Sequence, residues 1–156
     1  MLSRLERFLA TPSDTTLLWL RIVAGAVMFP HGAQKLLGWF GGRGFEATMS
    51  GMQEHLGLPA FVVLLVILGE SLGALGLVVG FASRFCAFGI VLTMIGALER
   101  HLDHGFFMNW SGRNAGEGYE FHLVLIALAL PVMIRGGGAL SFDRFLVDRL
   151  DAIRRP

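Results

Sequence analysis

Ionisable side chains are sparse in the apolar stretches of this sequence, and those present are of types that move protons. His31 and Lys35 share one stretch, Glu70 lies in a second, Glu99 ends a third, and Glu120 and His122 begin a fourth. A charge in hydrocarbon costs roughly 2.5–3.5 kcal/mol on insertion scales, so such residues turn towards a bundle interior or an aqueous pocket. There, carboxyl and imidazole groups can exchange protons with a bound molecule. His31, Glu70 and Glu120 are the candidate catalytic residues, His31 as hydrogen-bond donor and either glutamate as proton carrier. Lys35, Glu99 and His122, with the rings of Trp39, Phe107 and Trp110, are the candidate binding residues. The set suits a quinone or similar polar-headed lipid, which needs hydrogen bonds at its carbonyls and an apolar slot for its ring. The alternative is a structural ion-pair network, with Lys35 held by Glu99 or Glu120 and Glu70 deeper.

Other chemistries fare worse. The single cysteine, Cys86, excludes an internal disulfide or dithiol relay, so any redox role needs a cofactor, a diffusible substrate or a partner. His101 and His104 lie three apart with Asp103 between them, but Glu120 and His122, two apart, diverge by about 200° on a helix. No metal is expected. A net charge of +1 without a basic patch gives no footprint for nucleic acid.

Four helices must position these groups. The chain of 156 residues is 54% hydrophobic and only 16% charged, with a mean hydropathy of +0.62, too little charge to cover a soluble surface. Crossing the hydrocarbon takes about 20 mainly apolar residues. The pattern predicts spans at 16–39, 59–82, 84–102 and 119–135, hence an all-α, integral membrane four-helix bundle forming a single domain over 1–156. No strand alternation competes. Pro59 suits a first helical turn, and Gly80–Arg84 allows only a tight turn between antiparallel neighbours. Residues 41–58 read as a longer loop. Residues 103–118, rich in Gly, Asn and aromatics, read as a cap over the site or an ordinary interfacial loop. Residues 1–10 and 141–154 set Leu2, Leu5, Phe8, Phe142, Phe145 and Leu150 against arginines, the pattern of amphipathic helices on the membrane; the second would equally suit a partner protein.

Arginines concentrate on the side of the termini and the second loop: Arg4, Arg7, Arg84, Arg135, Arg144, Arg149, Arg154 and Arg155 against Lys35, Arg43, Arg100 and Arg113. The bias predicts cytoplasmic termini in a bacterial-type inner membrane. Antiparallel threading then gathers His31, Lys35, Glu99, Glu120 and His122 in the outer half, with Glu70 near mid-depth and Arg21 alone in the inner half.

A set of short motifs carries a family resemblance. His31-Gly32-Ala33-Gln34-Lys35-Leu36 precedes Gly38-Trp39-Phe40-Gly41-Gly42. In order follow Gly69-Glu70, Gly80-Phe81-Ala82-Ser83-Arg84, Gly105-Phe106-Phe107-Met108-Asn109-Trp110, Gly118-Tyr119-Glu120 and the segment from Gly136 to Asp143. From about Leu17 to Phe145 the chain resembles the DoxX family of small membrane proteins. The resemblance implies a four-helix membrane fold and carries over His31, Lys35, Glu70, Arg84 and Glu120 as pattern positions. The family takes its name from a subunit of a thiosulfate:quinone oxidoreductase, and other members are linked to membrane oxidoreductase complexes and stress responses. It therefore implies quinone-linked redox work beside a partner oxidoreductase. One cysteine and no sulfur-binding motif argue against thiosulfate itself. Two other functions stand beside this one. The first is a non-enzymatic scaffold or assembly factor for a partner complex. The second is a small-molecule or proton-coupled transporter, for which four short helices would need an oligomer.

Overall fold

A computed structural model describes the backbone of residues 4–154. Leu2, Arg155 and the side chains of Arg4 and Arg154, used above, lie outside the described residues. Every regular element described is helical. In chain order they are α1 (Arg4–Leu9), α2 (Thr15–Leu36), α3 (Gly44–Leu56), α4 (Ala60–Val79), α5 (Ser83–His101), α6 (Glu120–Arg135) and α7 (Phe142–Arg154). Short 3₁₀ turns occupy Trp39–Gly41 and Leu102–His104.

Local chemistry sets the ends of the first spanning helix. Asp14 caps α2, its Oδ1 accepting from the N–H groups of Thr16 (2.8 Å) and Leu17 (3.4 Å). Arg135 pairs with its other oxygen at 3.1 Å. The Thr16 N–H, more than Arg135, holds this carboxyl below the usual range, so the cap remains charged at neutral pH. Gly38, at φ 73°, ends the helix after Leu37. The first span therefore stops at Leu36, not at residue 39.

α2, α4 and α5 are long and apolar enough to cross a membrane. α6 has 16 residues, about 24 Å of helix, and completes the bundle by packing along α5 and α2. The core consists of Leu17, Ala24 and Met28 from α2, Ala74 and Leu77 from α4, Ala87, Ile90, Val91 and Met94 from α5, and Leu125, Ala129 and Val132 from α6. Large apolar residues also cover the outside, among them Val27, Phe61, Leu65, Phe85, Leu92 and Val124. A bundle apolar both inside and out is arranged for lipid, not water. The protein is an integral membrane four-helix bundle.

Small residues allow the close approach of α2 and α4. A Cβ on Gly32 would overlap the backbone of Glu70 and Ser71, and one on Gly25 would come within 2.6 Å of the Ala74 carbonyl oxygen. At this contact α4 widens into a π turn over Gly69–Gly73, with Glu70 and Ser71 buried. The Ser71 hydroxyl donates back to the Ile67 carbonyl at 2.6 Å.

Two regions differ from or refine the sequence reading. Residues 44–56, read as loop, form α3; of its residues only Thr48 is buried, and Arg100 donates to the Leu56 carbonyl at its end (3.1 Å). A search for long apolar runs passes over so polar a helix. At the opposite end of the bundle the terminal helices pack on each other, burying Leu9, Glu6 and Val147 while Leu5, Phe8, Phe145 and Ile153 remain exposed. Two arginines tie that end together. Arg84 donates to the carbonyls of Phe8, Ala10 and Ile134, and Arg21 to five carbonyls of α4 and the 137–140 loop.

Candidate functional site

At the end of the bundle away from the terminal helices, the polar residues of the spans line a cavity of about 200 Å³ between α2, α4, α5 and α6. Lys35 stands one helical turn beyond His31, so both point the same way from α2. The π turn of α4 presents Glu70 to them. Lys35 Nζ lies 2.5 Å from Glu70 Oε2, with the carboxylate side chain only 6% exposed. This corrects the expected pairing: Lys35 is held by Glu70, not by Glu99 or Glu120. Glu99 is exposed at the end of α5 and makes no ion pair among the described residues.

His122 enters from α6, 7% exposed, and its buried Nδ1 has no hydrogen-bond partner among the described residues. Its ring lies 4.7 Å from that of His101 on α5. His101 Nδ1 is 2.7 Å from the Ala97 carbonyl. Because a carbonyl only accepts, the proton sits on that Nδ1, and Nε2 is the free ring nitrogen. His31 stands exposed at the rim, its ring 5.5 Å from Phe121. Met28, Met94 and Phe121 supply apolar wall.

Glu120 and His122 do diverge as their spacing requires. Glu120 turns into the loop, where its Oε1 accepts from Met108 N (3.2 Å) and Trp110 Nε1 (3.0 Å). Its own N–H donates to the Phe106 carbonyl, and Tyr119 N–H to that of Gly105. These bonds hold the loop so that Met108 and Glu117 reach the cavity. The loop thus covers part of the site, but with a methionine instead of its aromatic rings. Trp110 is 80% and Phe107 71% exposed, and Trp39 likewise lies outside the wall.

Of the residues singled out in the sequence, the cavity brings together His31, Lys35, Glu70 and His122 and leaves out Trp39, Glu99, Phe107, Trp110 and Glu120. In the sequence, His101 stands out only as a possible metal ligand beside His104. The stripe Met94–Ala97–His101, spaced three and four on α5, would have placed it on the core face. No group of three His, Cys, Asp or Glu side chains suited to a metal occurs among the described residues.

A second cavity, of about 480 Å³, lies between the end of α2 and α3 and shares Lys35 with the first. Its other polar walls are Gln34, Arg43, Thr48 and His55.

The sequence profile of the DoxX family matches residues 16–110, from the start of α2 to the loop tryptophan, and so includes the Lys35–Glu70 pair but not His122. A protein of Bacillus subtilis (strain 168) named "Putative oxidoreductase CatD" is 28% identical over 129 residues, covering 83% of this chain and 85% of its own. No solved structure matches. With the profile covering more than half of a chain that folds as a membrane four-helix bundle, the protein belongs to the DoxX family.

Proposed function

We propose that this protein is a membrane subunit of a redox system whose histidine-lined cavity takes the headgroup of a quinone or similar polar-headed lipid. The observation that carries the reading is His122: a buried histidine of the cavity wall whose Nδ1 has no hydrogen-bond partner among the described residues. Such a group costs about 1–3 kcal/mol unless something bonds to it, and buried polar groups are normally satisfied. A ligand oxygen would satisfy it. His31 at the rim offers a second hydrogen bond, and the methionines and Phe121 offer apolar contact. A bound quinone would supply two-electron, two-proton chemistry. His101, in ring contact with His122 and on the same cavity wall, is placed to exchange a proton with it. Glu70 joins only when Lys35 releases it, and Glu120 acts by holding Met108 in the wall. The name of the Bacillus relative supports a redox setting. The closed Lys35–Glu70 pair favours a second reading, a scaffold whose buried polarity is structural.

Purified in mild detergent, the wild-type protein should carry quinone detectable by mass spectrometry of the extracted lipid, and its melting temperature should rise on adding a short-chain quinone. His122→Phe, which keeps a ring but loses the nitrogen, should weaken that binding at least about fivefold, the equivalent of one hydrogen bond, and leave the ligand-free melting temperature at or above that of the wild type, because the unsatisfied nitrogen is gone. Wild-type protein with neither bound quinone nor a thermal response would establish the scaffold instead.

We also propose that the termini are cytoplasmic and that the cavity opens towards the outer leaflet of a bacterial inner membrane. Arg7, Arg84, Arg135, Arg144 and Arg149 cluster at the terminal-helix end, against Lys35, Arg43, Arg100 and Arg113 at the cavity end. With Cys86 replaced by Ser, an impermeant maleimide should reach Gly112→Cys from outside and a cysteine added after the last residue only from inside. Labelling of both from one side sinks the proposal.

A further inference from the structure

We infer that the second cavity, between the end of α2 and α3, is a binding site for an oxyanion, either a free one or the phosphate of an anionic lipid headgroup. The inference is independent of quinone binding in the first cavity. Backbone geometry creates the site. After α2 ends, the chain folds back so tightly that a Cβ on Gly42 would overlap the Gln34 backbone. That return sets Arg43 near Lys35 although eight residues separate them, and α3 then brings His55 to the same space.

The cavity wall carries Lys35, Arg43 and His55 with the amide of Gln34 and the hydroxyl of Thr48, and no Asp or Glu. Glu46 and Glu54 belong to α3 but not to this wall. Arg43 makes no ion pair or hydrogen bond among the described residues, even with Glu46 three residues on. Its guanidinium folds back over α3, with Nη1 3.8 Å from where a Cβ on Gly51 would lie. Lys35 gives one ammonium proton to Glu70 and has two more to donate. His55 Nδ1 donates to the Gly51 carbonyl at 3.0 Å, so Nε2 donates to an oxyanion only in the doubly protonated imidazolium and otherwise accepts, as from a P–OH. An unneutralised guanidinium beside an ammonium and an imidazole, in a concave wall without carboxylates, is complementary to phosphate or carboxylate oxygens. α3 buries little except Thr48, so its inward face lines space instead of filling it.

The test compares the full-length protein with Arg43→Gln and with Arg43→Gln/His55→Gln. Arg43 is exposed, and Arg113→Gln, exposed on the other loop, serves as control. In a detergent with an uncharged headgroup, inorganic phosphate should raise the wild-type melting temperature more than chloride at equal ionic strength. Arg43→Gln should need at least about tenfold more phosphate for the same rise, a loss on the scale of one charge-assisted hydrogen bond. In parallel, nanodiscs of phosphatidylglycerol are compared with nanodiscs of phosphatidylcholine. Stabilisation by phosphate identifies a free oxyanion as sufficient. Stabilisation by phosphatidylglycerol alone, lost in Arg43→Gln and kept in Arg113→Gln, identifies the lipid headgroup. The inference is overturned if neither probe stabilises the wild type, or if Arg43→Gln responds as the wild type does.

Discussion

Replacing Arg21 with Met should destabilise the bundle by about 3–5 kcal/mol, the scale of breaking a buried, fully bonded charge network. The side chain is 1% exposed, and its planar fork serves five carbonyls. Nε donates to Gly137 (2.8 Å), Nη1 to Leu77 (2.9 Å) and Val78 (2.5 Å), and Nη2 to Leu140 (3.0 Å) and Ala139 (3.4 Å). Leu77 and Val78 sit in the last turn of α4, where the Leu77 carbonyl also accepts from the Gly80 N–H (3.1 Å) and a cation is favoured by the helix dipole. Asp143 interacts with Arg21 electrostatically, while its own carboxylate accepts from Ala82 N (2.7 Å) and Ser83 N (2.8 Å) at the start of α5. Methionine would fill much of the volume but strand the carbonyls in an apolar setting. Arg21→Lys keeps the charge but cannot reproduce the fork, so it should fall between the two. Unfolding in graded denaturing detergent reads the difference. A methionine variant within about 0.5 kcal/mol of wild type, the range of ordinary surface changes, would show that Arg21 does not hold this end together.

At the other end, Lys35→Met alone should cost about as much, roughly 3–5 kcal/mol at neutral pH, because it leaves the buried Glu70 carboxylate without its cation. Combining Lys35→Met with Glu70→Gln should recover a large part of that loss, since the unpaired charge goes with its partner. Combining it with Glu99→Gln should recover nothing, because Glu99 is exposed and unpaired. Glu120→Gln should add a loss of its own by weakening the bonds to Met108 and Trp110. A double-mutant cycle on unfolding free energies separates these cases. Simple additivity for Lys35 and Glu70 would mean that the pair contributes nothing, however short its distance.

The sequence alone determined that four apolar stretches form a membrane bundle, that amphipathic helices flank it, and that His31, Lys35, Glu99, Glu120 and His122 share one half of it, with Glu70 near mid-depth and Arg21 in the other half. The reason is that depth along a span is local: with a rise of 1.5 Å per residue, position between the span ends sets height. Azimuth is not local. Glu70, Glu99 and Glu120 all lie within reach of Lys35 by depth, and tertiary packing chose Glu70. Gly32 lets the α4 backbone touch α2, and the π turn at Gly69–Gly73 aims the carboxylate inward. The packing of α5 on α6 set His101 against His122, and the Glu120 bonds fixed the 105–119 loop so that Met108 faces the cavity and Trp110 faces out. Residues 44–56 have too few buried positions to show an apolar stripe. Their helix, and the cationic cavity it closes, depend on the fold-back at Gly42 against α2, a backbone contact that leaves no periodic signal in the residue types.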